Sequence, residues 1–209
     1  MNVETVDYKD PAASAYLHRS LRDTGFAVLA NHPISADRIN DIYDRWGHFF
    51  ASEDKFTYAV QPPRHDGYFA FRSENAKDSP TKDLKEFFHI YPNSPLPDAL
   101  SAATEAIYAD LQALGVELLS WIQRETPKDI RGEFSLPLDE MMADSNQSLL
   151  RILHYPPVED AEPDAIRAAA HEDINLITLL LSGSKPGLQA KDAAGKWHNI
   201  ACDAGMITI

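Results

Sequence analysis

His171-Glu172-Asp173-Ile174-Asn175-Leu176-Ile177-Thr178-Leu179-Leu180-Leu181 sets an imidazole and a carboxylate two residues apart at the head of an apolar, β-branched run. On an extended strand, residues i and i+2 project from one face. His171 and Asp173 are therefore expected side by side, with Glu172 pointing away. One imidazole and one carboxylate are two thirds of the facial triad that holds iron(II) and leaves positions open for oxygen and substrate. Taken alone the pair is a weak signal, because 8 histidines and 32 acidic residues offer several chances of it. A surface turn is the bland alternative. The setting favours the metal, since Ala168-Ala169-Ala170 precedes the pair and an apolar run follows it. That places the pair at a strand entry.

Downstream, Gly187-Leu188-Gln189-Ala190, Lys196-Trp197-His198-Asn199-Ile200 and Met206-Ile207-Thr208-Ile209 are short strand-like runs split by Gly, Asp and Pro. Upstream, Ser148 to His154 alternates and is broken by Tyr155-Pro156-Pro157. Short strands at regular spacing indicate a sandwich or barrel. The last run is expected to leave unpaired edges around an open core.

The first half reads mainly helical. Ala12 to Thr24 has helical apolar spacing and stops at Gly25, and Phe26-Ala27-Val28-Leu29 suits a buried strand. Ser35 is placed to cap a helix whose apolar face is Ile39, Ile42, Tyr43, Trp46, Phe49 and Phe50. Residues 61 to 83 carry loop chemistry, and Glu86 to Tyr91 looks like a strand. The clearest helix runs from near Pro97 to before Pro127, its stripe of Leu100, Ala103, Ile107, Leu111, Leu114, Leu118 and Ile122 being a core face.

The 171–181 stretch, with Gly187-Leu188-Gln189 and Trp197 after it, resembles the iron-binding core of the isopenicillin N synthase-like oxygenases. These belong to the iron(II)- and 2-oxoglutarate-dependent superfamily. Leu150 to Pro157 resembles the family's strand ending in Tyr-Pro. Thr24-Gly25-Phe26 through Asn31-His32-Pro33-Ile34-Ser35 resembles its "GFF…NHGI" segment, with Pro33 in place of the usual glycine. Phe49-Phe50 with Lys55, Gly67-Tyr68, and Asp83-Leu84-Lys85-Glu86-Phe87 follow in order, so the likeness spans nearly the whole chain.

The resemblance implies an α+β fold: a double-stranded β-helix (jelly roll) core, incomplete in this chain, with an N-terminal helical support region. Residues 1–146 would be the support and 147–209 the first part of the core, in one compact domain. It implies His171 and Asp173 as ligands of Fe(II), and Tyr155 as a contact to the carboxylate of 2-oxoglutarate or substrate. No catalytic residue beyond the metal ligands is implied, and His32 is structural. The family's second histidine and its Arg-x-Ser pair are expected beyond Ile209, in a chain read as a fragment. His198 sits too early to be that histidine and reads as an exposed edge-strand side chain.

The activity implied is oxidation of a small organic substrate with 2-oxoglutarate and O2. The alternatives are an oxidase needing no keto acid, a cupin-like metal binder with no redox role, and an inactive binding or scaffold protein of the same fold. Arg72, beside Phe71, is a candidate to neutralise a substrate carboxylate, with a solvated loop arginine as its plain alternative. Lys185 reads as surface.

Composition narrows the partners. With 19 basic and 32 acidic residues the net charge is −13, which argues against nucleic acid and anionic membrane surfaces as general partners. The single cysteine, Cys202, allows neither an intrachain disulfide nor a cysteine-rich zinc module. The acidic start Met1-Asn2-Val3-Glu4-Thr5 does not resemble a signal peptide, so a cytoplasmic location is expected. Oligomeric state is not legible.

Overall fold

The computed structural model describes residues 1–74, 81–143, 145–158 and 166–209. Positions 75–80 of the loop-like 61–83 stretch lie outside the described residues. Helices and strands are mixed, and the strands among the described residues fall into three separate sheets. Two compact units emerge. One takes Met1–Ile39, Ala109–Ser145 and Asn175–Ile209; the other takes Asn40–Tyr108 and Asn146–Ile174. Among the described residues no helix is long and apolar enough to cross a membrane.

In the first unit, β1 (Thr5–Asp7) pairs parallel with β2 (Val28–Ala30). Helix α1 (Ala13–Thr24) connects them and ends at Gly25, whose left-handed φ of 77° closes the last turn through its N–H to the Leu21 carbonyl. Ser20 ties this layer together. Its Oγ accepts the Glu4 N–H at 3.0 Å and donates to the Phe26 carbonyl at 2.7 Å.

β2 pairs antiparallel with β9 (Ile207–Thr208), and β9 pairs again with β6 (Leu180–Leu181), giving the order β1-β2-β9-β6. The expectation of an unpaired final strand is therefore corrected: β9 is a central strand, flanked on both sides. β7 (Gln189–Lys191) and β8 (Trp197–Asn199) form a hairpin of their own. Two short helices, α4 (Lys128–Arg131) and α5 (Leu138–Ala143), were not legible in the sequence.

The second unit is built on the antiparallel sheet β3-β4-β5, formed by Gly67–Phe69, Glu86–Ile90 and Leu150–His154. β3 falls inside the stretch read as loop. Its pairing with β4 supplies the order that its composition does not. Helix α2 (Ala36–Ala51) starts at Ser35, whose Oγ accepts the Arg38 N–H at 3.3 Å. Trp46 and Phe49 of α2 meet Phe88 of β4 at ring-centroid distances of 5.0 and 5.8 Å. Tyr43, expected on the apolar face, is exposed instead. Helix α3 (Asp98–Glu125) matches its predicted span, and Leu100, Ile107, Leu114 and Leu118 of its stripe are buried.

The long strand expected over 174–181 is not formed. Only Leu180–Leu181 is strand, Ile174 is 100% exposed and Leu176 is exposed. An extended segment needs a neighbour for its backbone groups. None among the described residues pairs with 171–179.

Candidate metal half-site

β4 and β5 set the site. Their register pairs Glu86 with His154, Phe87 with Leu153, Phe88 with Ile152 and His89 with Arg151. Alternation then divides the side chains. Glu86, Phe88 and His154 face α2. Phe87, His89, Arg151 and Leu153 line the opposite face, continued by Lys85 before β4 and Tyr155 after β5.

The α2-facing side carries a buried polar knot. Glu86 accepts from the Tyr68 hydroxyl at 2.5 Å, the His154 Nδ1 at 2.7 Å and the Lys55 ammonium at 3.0 Å. Burial alone would raise the Glu86 carboxyl, but these donors outweigh it and hold the pKa below the ordinary glutamate value.

The opposite face is aromatic and cationic. The Phe69 and Phe87 rings stack at 4.5 Å, and the Arg151 guanidinium lies 4.8 Å over Phe87. Arg151 Nε donates to His89 Nε2 at 2.7 Å.

The next layer reaches the His-x-Asp pair. The Lys85 ammonium contacts Asp83 Oδ2 and Glu74 Oε2, both at 2.8 Å. Burial pulls the lysine pKa down, but the two carboxylates prevail and raise it. The other oxygen of Asp83 accepts the Ala169 N–H at 3.0 Å. The Leu84 N–H donates to the Ile166 carbonyl at 3.0 Å. The segment ahead of His171 is thereby pinned to the residues entering β4.

His171 and Asp173 come together without a strand. His171 Nε2 lies 3.6 Å from Asp173 Oδ1. The Nδ1 of His171 is 2.9 Å from the Ala169 carbonyl, which can only accept, so Nδ1 is the donor in this contact and Nε2 is the ring nitrogen turned toward Asp173. A ligating histidine has its other ring nitrogen engaged in this way. Nitrogen and oxygen donors sit about 2.0–2.2 Å from a first-row metal, so two such bonds span up to about 4.4 Å. The 3.6 Å separation fits one ion between the two atoms. Both side chains are exposed. Among the described residues no cluster of three metal-binding side chains occurs.

The remaining candidates are placed as follows. Tyr155 is half-buried, and burial raises its pKa against the lowering pull of the Lys85 and Arg151 charges. Its hydroxyl therefore stays protonated and able to donate. Arg72 is half-buried in a left-handed conformation at φ 59°, its N–H donating to the Lys85 carbonyl at 3.1 Å and its guanidinium 5.6 Å over Phe71. It is not the solvated loop arginine of the plain reading. His198 is half-buried and 2.7 Å from Asp192 within its own hairpin, so it is not the exposed edge residue expected. His32 is buried, and burial lowers its pKa. Asp83, Lys85, Glu74 and Arg151 were missed as site residues. The usable signal was Asp83-x-Lys85 in front of a strand, two charges of opposite sign at strand spacing.

Two family models match the chain. The N-terminal model of non-haem dioxygenases in morphine synthesis covers residues 3–110, and that of the 2OG-Fe(II) oxygenase superfamily covers 146–209. The proline hydroxylase buaE of Petromyces alliaceus is 30% identical over 95% of this chain and 70% of its own length. Among solved structures, a Shewanella oneidensis protein assigned as an oxygenase is 45% identical with a TM-score of 0.89, over all of this chain and 74% of that one. A Caulobacter crescentus protein assigned to the 2OG-Fe(II) oxygenase family is 31% identical with a TM-score of 0.78, over 99% of this chain and 72% of that one. The chain thus spans 70–74% of the length of these three relatives.

Proposed function

We propose, from the premise that this chain belongs to the 2OG-Fe(II) oxygenase superfamily, that it oxidises a small organic substrate with iron(II), 2-oxoglutarate and O2. Members of that family use iron(II) and 2-oxoglutarate. When bound, the metal and keto acid supply a two-electron oxidation driven by O2, with the keto acid losing carbon dioxide. Residues 147–209 are assigned as the first part of a jelly-roll core and 1–146 as its support.

The observation that carries the proposal is the pairing of His171 and Asp173, with Nε2 and Oδ1 3.6 Å apart and the second imidazole nitrogen already committed to Ala169. His171 offers an imidazole nitrogen and Asp173 a carboxylate, a donor set matched to iron(II). Tyr155 would donate its proton to a carboxylate oxygen of the co-substrate or substrate. Arg72 would pair with a substrate carboxylate.

The test is anaerobic titration of the protein with iron(II) and then 2-oxoglutarate. A visible metal-to-ligand charge-transfer band is expected in the wild type and is abolished in His171→Ala. A band that survives in His171→Ala removes the ligand assignment. Iron binding with no band on adding the keto acid points to the oxidase reading, against which the relatives named for 2-oxoglutarate dependence weigh.

A further inference from the structure

We infer that Asp83 is a positioning residue for the metal half-site, acting on His171 through the backbone of Ala169. The inference rests on His171 being an iron ligand.

Asp83 is 2% exposed and divides its two oxygens between two tasks. Oδ2 takes the Lys85 ammonium at 2.8 Å, and Oδ1 takes the Ala169 N–H at 3.0 Å. Ala169 then fixes His171, since its carbonyl receives the imidazole Nδ1 at 2.9 Å. The chain of contacts runs from the Asp83 carboxylate through the backbone of Ala169 to the imidazole in two hydrogen bonds. Its consequence is chemical. Nδ1 is occupied as a donor to Ala169, so Nε2 is the nitrogen presented on the side that Asp173 shares.

The local backbone needs this support. Among the described residues, 171–179 pair with no strand, and His171 itself is exposed. A pair on a paired strand is aligned by the ladder; here the ladder is absent and other bonds must do the aligning. The Leu84 N–H to the Ile166 carbonyl and the Asp83 carboxylate to the Ala169 N–H are those bonds.

The rest of the cluster aims Asp83. Lys85, 5% exposed, is bound on its other side by Glu74 at 2.8 Å, and Glu74 is further neighboured by Arg151 at 3.4 Å. A lysine this buried is tolerated because two carboxylates meet it. In return it pins Oδ2, so that Oδ1 can face only Ala169. A neutral amide at position 83 has a single oxygen and cannot serve both partners.

The test uses the full chain, with iron(II) and 2-oxoglutarate as probes. Iron affinity is read from the charge-transfer band, and the His171 tautomer from ¹⁵N NMR of the metal-free protein. Wild-type His171 is expected to be protonated on Nδ1. Asp83→Ala should weaken iron(II) about 10- to 100-fold and convert His171 to a tautomer mixture. Asp83→Asn, equal in volume, should show a smaller loss, about threefold, with a partial tautomer change. A purely structural role would lower the thermal midpoint of the metal-free protein but leave affinity and tautomer of the folded fraction untouched. A folded Asp83→Ala with wild-type affinity and an Nδ1-protonated His171 overturns the inference. If Asp83→Ala does not fold, Asp83→Asn decides: a shifted tautomer supports it, and wild-type tautomer with wild-type affinity overturns it. His171→Ala separates the two readings. Unchanged iron binding in that variant defeats the ligand assignment, whereas loss there with no effect at position 83 defeats only the positioning role.

Discussion

His89 carries the pH dependence that one buried side chain imposes on folding. It is 8% exposed, its Nδ1 donates to the His65 carbonyl at 3.1 Å, and its Nε2 accepts from Arg151. Burial first, and the positive charge of Arg151 second, push its pKa from 6.5 down to about 4. The folded state thus binds this proton less readily than the unfolded chain. Stability from neutral His89 is fully present above pH 6.5 and is lost as the pH falls toward 4. Urea unfolding should show about 2 kcal/mol lost between pH 6.5 and 4.5, each pK unit being about 1.4 kcal/mol. His89→Gln should flatten the slope in that window; an unchanged slope places the loss elsewhere. Below about 4.5 the carboxylates with lowered pKa, Glu86 and Glu74, add a further decline of the same sign. None of this could be read from the sequence, where His89 is one histidine in an apolar strand. Its partners Arg151 and His65 arrive from distant segments. The same holds for Asp83. His171 and Asp173 were legible because both members of the pair are local.

At the scale of elements, what a segment supplies to itself was legible and what it borrows was not. Helix α2 declares its start in Ser35 and its face in Ile39, Ile42, Trp46, Phe49 and Phe50, all buried. Ser35→Ala removes the acceptor for the Arg38 N–H and should cost about 1 kcal/mol, read as a lowered midpoint in thermal melts. Retention of the wild-type midpoint would mean that water caps the helix equally well. The strand expected from Ile174 to Leu181 fails for the opposite reason. Its β-branched, apolar composition is right for a strand, but composition does not provide the neighbour whose N–H and C=O groups complete the ladder. β3 is the converse case. Gly67–Phe69 sits among loop-forming residues, yet pairing with β4 makes it a strand.

Across the whole molecule, the longest-range decision is the place of β9. Ile207, fully buried, belongs to a strand seated between β2 and β6, and the Ala27 and Ile209 backbones exchange hydrogen bonds of 3.0 and 2.8 Å. Ile207→Ala should cost about 2–5 kcal/mol, and hydrogen exchange should lose protection at β2 and β6 together. Loss at β9 alone would show that the sheet does not act as one unit. The sequence by itself determined the three long helices α1, α2 and α3, most of the strand-like runs, the His171–Asp173 pair and the family resemblance, because each is written in residues close along the chain. Only the tertiary structure decided that the last strand is central, that Tyr43 is exposed, that 171–179 joins no sheet among the described residues, and that Asp83 reaches Ala169. Strand order and buried charge pairing are set by contacts between segments far apart in sequence, and local periodicity carries no record of which segments will meet.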